Sequence, residues 1–479
     1  MTRVFSIFER IGLGGGGKVK AVYHRMNALA EMEEFDPVLL NLDHSIRQML
    51  NFAELKANGT IAPRVRNLTV PQACYDAAVA AGVERFSDFP AFDRFETKGK
   101  KTVYAQGGET VMVDTTTHTP IGAITKRVLP QTDGKTTYTL IDDEIHQSVT
   151  RNADGSTEKT DFTRSLPIRW VKTKDRKFII GKNLVTDTIC RMPRVYAQNI
   201  FEMVACEDAV VFFDGVTSAY LSAVTKGQRA LFLHADHRSP SGTIVPRSRF
   251  LIENFKGEAI ITSTAVHKAR IETDVIPAAE IHVIPHFCDT ANATPQERKH
   301  LVTVSRLELE GKPIHECIEA FCQIKDDFPH VDYLVYGVGA GQKQLEVQIE
   351  QLGCGDRVKL AGYSTEPLRI FRNAIASVYP TTTEGFGLSI LEALSNGCPV
   401  ISYDVNYGPR EMIVSGKNGE LVPRADIQAI AKAMRKVLSQ PARYQQDTDT
   451  GLERYTRQAF LSNYRGFINK ISKRLSAPE

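Results

Sequence analysis

The chain has 479 residues and a mass of 53.3 kDa, which as a prior suggests roughly two to four domains. Hydrophobic residues make up 42% and charged residues 24%, which excludes a disordered or collagen-like chain. No run approaches the ~18 consecutive apolar residues of a membrane-spanning helix, and a net charge of +3 is too balanced for an electrostatic nucleic-acid binder. The eight cysteines are scattered with no Cys-x-x-Cys pair, so neither a zinc site nor a disulfide framework is expected. The first residues, Met1 to Phe8, lack the apolar core and cleavage site of a signal peptide. A cytoplasmic location is the expectation.

In chain order, Val4–Phe8 reads as a buried strand. It leads into Gly12 and Gly14–Gly17, then into a helical pattern through Val19, Val22, Met26 and Leu29. Strand, glycine turn and helix open a doubly wound α/β domain. From Lys101 to Ile180 threonine, valine and alternating patterns dominate, cut by Gln106–Gly108, Thr132–Gly134 and Asn152–Gly155. Asp-Gly between alternating runs is a strong hairpin signal. Five or six antiparallel strands are expected there, as a meander inserted into the first α/β domain. Parallel strands then return at 210–213, 229–233, 259–261 and 282–284. A second α/β domain follows, with strands at 301–304, 332–336, 358–360, 376–379 and 399–401. The expected division is 1–95 with 190–285, an insert at 96–189, a second domain at 286–453, and a last helix within 454–479. The helical pattern Arg454–Leu475 carries six basic residues around Phe460, Tyr464, Phe467, Ile468 and Ile471. Packing back onto the first domain is the preferred reading; a peripheral contact with anionic lipid is the other.

The sharpest chemical signal is Thr383-Glu-Gly-Phe-Gly-Leu-Ser-Ile-Leu-Glu392, which follows a strand and starts a helix near Gly387. Gly385 and Gly387 let backbone N–H groups approach an anion at a helix N-terminus. Glu384 and Glu392 are eight residues apart, so on a helix they lie about 80° from the same face. Val304-Ser-Arg-Leu307 with Lys312 places two cations beyond a strand, a combination suited to a diphosphate. Beside Glu310 and Glu316, Lys312 alone also reads as a surface ion pair worth ~0–1 kcal/mol. Gly337, Gly339 and Gly341 follow another strand but do not complete a dinucleotide fingerprint, leaving close backbone approach to a ligand. Leu360-Ala-Gly-Tyr363 suits main-chain contacts to a flat base. His234-Ala-Asp-His237 suggests a metal at first sight, but no third ligand stands at suitable spacing. His234 facing the substrate is preferred, and His237 also reads as a core or surface histidine. Asp447-Thr-Asp449 reads as solvated.

These residues resemble the retaining GT-B glycosyltransferases of the family-4 type, over the first ~90 residues and from ~200 onward. Glu384 and Glu392 resemble that family's E-x7-E motif, and Arg306 with Lys312 its diphosphate-binding pair. Here those cations are six residues apart where the family usually has five, and His286 stands where asparagine is common. The inserted meander, the His234–His237 segment and Asp404–Pro409 resemble two narrower groups. One is the teichoic-acid α-glycosyltransferases; the other adds the first N-acetylglucosamine to serine-rich adhesins.

The resemblance implies a GT-B fold, two Rossmann-like domains facing a cleft with an antiparallel meander inserted in the first. It implies a retaining, UDP-sugar-dependent hexosyltransferase with no metal and no other cofactor. Arg306 and Lys312 would hold the diphosphate, assisted by backbone from Phe386 through Gly387 to Leu388. Glu392 would bind ribose hydroxyls, Tyr363 and Gly362 the uracil, and Glu384 the sugar. His234 would lie by the transferred sugar, Gly16 and Gly17 by the donor phosphate, and Gly337 among the donor-binding residues. The acceptor would be a poly(glycerol or ribitol phosphate), or Ser/Thr of an adhesin. An inactive partner protein is the non-enzymatic alternative. Self-association through the meander is a further implication, with no nucleic-acid partner.

Overall fold

The computed structural model describes residues 1–8, 11–12, 16–86, 89–91, 93–131, 134–215, 218–290 and 298–472. Gly14 and Gly15 of the glycine turn, Thr132 and Asp133 of one expected hairpin, and Lys473–Leu475 of the last helix lie outside them. The described residues form three sheets.

The first sheet begins with β1 (Thr2–Phe8), β2 (Phe35–Asn41) and β3 (Arg66–Thr69). The chain then runs through ten antiparallel strands, from β4 (Arg94–Lys98) to β13 (Thr188–Cys190), which form the second sheet in sequence order. It returns to the first sheet with β14 (Ala209–Phe213), β15 (Gln228–Leu233), β16 (Ala259–Thr262) and β17 (Glu280–Val283). The strand order β17-β16-β15-β14-β1-β2-β3 reverses direction of growth between β1 and β14. Every residue of β14 is buried, as expected of a strand covered on both faces of a parallel sheet. At that centre Arg25, only 1% exposed, donates to Asp214 Oδ1 at 2.9 Å and to Ser6 Oγ at 2.8 Å.

The third sheet comprises β18 (His300–Val304), β19 (Asp332–Tyr336), β20 (Val358–Gly362), β21 (Ala374–Tyr379), β22 (Val400–Tyr403) and β23 (Gly419–Val422). All its pairings are parallel, in the order β20-β19-β18-β21-β22-β23. The order switches between β18 and β21, so the segments leaving those two strands meet where α/β sheets bind ligands. Leu301, Ile318, Phe321, Tyr333 and Val335 centre one core, and Tyr379, Phe386, Leu391 and Met412 another.

By compactness the chain divides into 1–15 with 22–230 and 471–479, and 16–21 with 231–470. The second unit therefore contains the start of the helix Gly17–Glu31 as well as the third sheet.

Three expectations need correction. The meander has ten strands, not five or six. The extra hairpins turn on Asp142–Asp143, Arg164–Ser165 and Asp175–Arg176, each pair with both φ values positive. Such two-residue turns usually advertise themselves with glycine, and these do not. Strands β2, β3 and β23 were also unmarked in the sequence: β2 contains Pro37, and the others have four residues each. Finally, Cys322 and Cys354 form a disulfide. In the helix Arg457–Ser472, Phe460, Tyr464, Phe467, Ile468 and Ile471 are all buried. The Phe467 ring meets His282 at 5.1 Å and Phe460 meets Phe287 at 4.7 Å.

Candidate functional site

The segment after β21 builds the site's centre. Gly387 caps the helix Leu388–Ser395 at φ 88°, a left-handed conformation that glycine adopts at little cost. Its neighbours are tightly held. A Cβ on Gly385 would stand 2.3 Å from the His234 carbonyl oxygen, and one on Gly408 would stand 1.3 Å from that of Phe386. The Phe386 ring lies edge-on to His286 at 5.0 Å and to Tyr455 at 5.5 Å. The loop carrying Gly385–Leu388 is thus clamped by the segments holding His234 and Gly408.

Glu384 and Lys312 meet inside this frame. Lys312 donates to Glu384 Oε1, to Tyr379 Oη at 2.9 Å and to Thr381 Oγ1 at 2.8 Å. Glu384 Oε1 also accepts from Tyr379 at 2.9 Å and Thr381 at 3.0 Å. Both side chains are about 15% exposed. Burial opposes the charge on Lys312, but Tyr379 and Glu384 outweigh it and hold the ammonium above its ordinary pKa. Burial, with Glu384 adding to it, raises the Tyr379 hydroxyl. Lys312 is therefore committed to Glu384 rather than standing as an uncompensated cation.

Arg306, just beyond β18, is 66% exposed on its side chain and donates to Glu308 at 2.9 Å. Gly16 approaches it, since a Cβ there would lie 3.9 Å from Arg306 Nε. Gly17 similarly faces Leu388 at 3.8 Å. Four residues into that helix, Lys20 donates to Glu392 Oε1 at 2.9 Å. Glu392 is 4% exposed on its side chain, and its Oε2 is buried with no hydrogen-bond partner among the described residues.

Gly337 donates to the Gly362 carbonyl at 2.8 Å, bringing together two residues expected near the nucleotide; Tyr363 beside them is 59% exposed. The glycine run itself serves the protein's own backbone. A Cβ on Gly337 would stand 1.8 Å from the Ser305 carbonyl oxygen, and one on Gly339 2.6 Å from that of Leu307. The expected close approach is thus made to the 305–309 loop, which carries Arg306.

His234 follows β15 and stacks on Phe232 at 4.3 Å, with the His286 ring parallel at 6.2 Å. His237 instead is 1% exposed and takes a structural place. Its Nε2 donates to Asp274 Oδ2 at 2.8 Å, and its Nδ1 faces His267 Nε2 at 3.2 Å. Asp236 accepts from Tyr407 at 3.0 Å. Burial, reinforced by His237, lowers His267 to about 4, so it is neutral and can donate to His237. The Arg238 guanidinium, with His237, lowers Asp274 to about 2.

Ligand atoms of Asp236, His237 and His267 lie within 4.8 Å of one another, so the structure supplies the third residue that spacing could not. A cation fits this set poorly. Coordination through His267 Nε2 would leave a protonated Nδ1 buried, and that atom has no partner among the described residues. Metal-bound histidines ordinarily donate their second N–H. The chain Asp274–His237–His267 already pairs His237 Nε2, His237 Nδ1 and His267 Nε2 without one.

The sequence did not single out Lys20, Tyr379, Thr381, His267, Asp274 or Tyr407. Lys20 had a legible signal: a cation in the first helical turn after a glycine-rich turn. His267, Asp274 and Tyr407 are paired across chain separations that spacing does not reveal, and so are Tyr379 and Thr381 with Lys312.

Residues 289–457 match the family model for glycosyl transferases group 1, a stretch that includes Arg306, Lys312, Glu384 and Glu392. That segment is similar to group 1 glycosyl transferases. Among relatives, a poly(glycerol-phosphate) α-glucosyltransferase of Bacillus subtilis is 29% identical over 180 residues, 37% of this chain and 27% of that protein. A UDP-N-acetylglucosamine–peptide N-acetylglucosaminyltransferase GtfA subunit of Streptococcus gordonii is 32% identical over 257 residues, 48% of this chain and 50% of that one. The chain thus spans between 27% and 55% of the length of the first curated relatives it matches. Solved structures extend the likeness beyond that segment. TarM of S. aureus, in complex with UDP, superposes with a TM-score of 0.77 at 18% identity, covering 98% of this chain and 100% of that one. Pneumococcal GtfA with UDP and GlcNAc gives 0.71 at 18% identity, covering 98% and 99%. The fold is GT-B, with two Rossmann-like sheets and an added antiparallel sheet.

Proposed function

We propose that the chain is a retaining hexosyltransferase that moves glucose from UDP-glucose to hydroxyls of a poly(glycerol or ribitol phosphate). The observation that carries this reading is the paired-carboxylate site inside the segment that matches the family model. Glu384 is fixed by Lys312, and Glu392 by Lys20, on either side of a helix N-terminus opened by Gly387. The B. subtilis relative supports the acceptor class. The TarM complex, which holds UDP and α-GlcNAc-glycerol, supports a nucleotide-sugar donor.

In the reaction the bond from the anomeric carbon to the UDP oxygen breaks, and a bond to the acceptor oxygen forms on the same face. The acceptor proton passes to the departing phosphate. Arg306, exposed beside Gly16, stabilises the charge that grows on that phosphate, and the Gly387–Leu388 backbone adds its N–H groups. Glu384, held in place by Lys312, accepts from sugar hydroxyls. Glu392 accepts from the ribose, and Tyr363 with Gly362 meets the uracil. His234 lies by the transferred sugar. No metal is required in this scheme.

The test is sugar transfer by the purified chain from UDP-glucose and UDP-N-acetylglucosamine to poly(glycerol phosphate) and to a Ser/Thr peptide. Transfer of α-linked glucose to the polymer is expected. Transfer of N-acetylglucosamine to the peptide would replace this reading with that of the GtfA-type relatives. Absence of UDP release with every combination would leave the inactive-partner reading.

A further inference from the structure

The pair formed by Lys20 and Glu392 joins residues 372 apart in the sequence. A carboxylate with a 4% exposed side chain has left water almost completely, and it stays charged at reasonable cost only beside a cation. Lys20 supplies that cation to Oε1 alone. A carboxylate accepts at both oxygens, yet Oε2 is buried with no partner among the described residues. The protein therefore holds, next to the Gly387 helix start, a fixed acceptor with unmet capacity. Lys20 itself is 37% exposed on its side chain, and belongs with 231–470 by compactness while most of its helix does not.

The geometry points to Lys20 as a positioning residue for nucleotide recognition: it fixes Glu392 so that Oε2 accepts a ribose hydroxyl of the donor. This rests on the nucleotide-sugar reading above. Through Glu392, Lys20 makes the first turn of its helix, Gly17–Lys20, part of the ribose site. A hydroxyl is the matching ligand because it can donate to Oε2 without bringing a second charge. A phosphate would be repelled by the carboxylate. The lysine therefore contributes to selection of a ribonucleotide over its deoxy analogue, not to holding the diphosphate.

The experiment compares binding of UDP, 2′-deoxy-UDP and 3′-deoxy-UDP by calorimetry to the wild type, Lys20→Met, Lys20→Arg and Glu392→Gln. A hydrogen bond to a charged acceptor predicts that the wild type prefers UDP over at least one deoxy analogue by roughly ten- to a hundredfold. In Lys20→Met that ratio should fall below about threefold, while affinity for the deoxy analogue itself stays near wild type. Lys20→Arg, which keeps the charge, should retain most of the ratio. If Glu392→Gln also loses the ratio, the ribose assignment stands on its own. If Glu392→Gln loses it and Lys20→Met keeps it, the role given to Lys20 is wrong while the ribose assignment survives. Unchanged preference in Glu392→Gln would sink the ribose assignment itself. Equal weakening of UDP and both analogues by Lys20→Met would make the pair a structural tie and overturn the proposal. Should Lys20→Met fail to fold, loss of the ratio in a folded Lys20→Arg would also count against it.

Discussion

Replacing Lys312 by methionine removes the cation from a carboxylate whose other partners, among the described residues, are the Tyr379 and Thr381 hydroxyls. Two unit charges about 4 Å apart interact by roughly 4 kcal/mol at an effective dielectric near 20. With both side chains about 15% exposed, we discount this to ~2–3 kcal/mol for the pair. Truncating one partner costs more than the pair contributes, because the other charge is left stranded; ~3 kcal/mol is the low end of that range. For a domain of 150–250 residues this corresponds to a fall in Tm of roughly 6–12 °C. The informative measurement is the cycle with Glu384→Gln, which removes the stranded charge. The double variant should recover ~2–3 kcal/mol relative to the sum of the single variants, read from urea or thermal unfolding. Transfer activity should stay low in the double variant, since both residues are assigned to the donor site. Additivity within ~0.5 kcal/mol would refute the coupling, and recovered activity would refute the placement.

Arg306→Ala should lower kcat by roughly 10²–10³ with stability within ~0.5 kcal/mol of wild type, because its side chain is 66% exposed; a wild-type kcat removes it from the diphosphate. Activity should survive saturating EDTA, and complete loss restored by Mn²⁺ or Mg²⁺ would contradict leaving-group stabilisation by side chains. His267 is held neutral down to about pH 4 when folded but titrates near 6.5 when unfolded. The unfolded chain therefore binds more protons in that window, and stability is full above pH 6.5 and falls as pH drops toward 4. His267→Gln should flatten this part of the pH–stability curve, and an unchanged slope would refute the assignment. Phe467→Asp should destabilise by at least the ~3–5 kcal/mol of losing a buried Phe. Unchanged Tm with lost binding to anionic vesicles would favour the lipid reading instead.

What was legible in the sequence was local. A strand, its glycine turn and the start of the following helix lie within a few residues, and so do Glu384, Gly387 and Glu392. The strands of the parallel sheets announce themselves as short apolar runs, because burial on both faces removes the need for polar alternation. The meander's turns were hidden, because Asp142–Asp143 and Arg164–Ser165 adopt positive φ without glycine. The site's charge pairing was hidden for a different reason. Lys312 and Glu384 are each visible as candidates, but nothing in their spacing says that they satisfy each other. Lys20 and Glu392 are farther apart still, and His237 and Asp274, though nearer in sequence, sit on different elements whose spacing does not pair them.

The position of the ten-stranded insert also sets a timetable for the emerging chain. β1 finds its first neighbour early, in Phe35–Asn41, but its other edge is covered only by Ala209–Phe213. Until then Arg25 has no Asp214, and Ser6 lacks the carboxylate to which it donates. At the usual rate of synthesis the interval is on the order of ten to thirty seconds. The insert fills that interval with pairings between sequence neighbours, the kind that close fastest. On the ribosome, then, the added sheet is complete before the sheet that interrupts its own sequence to carry it. During that interval the unpaired edge of β1 is a template for pairing with another chain.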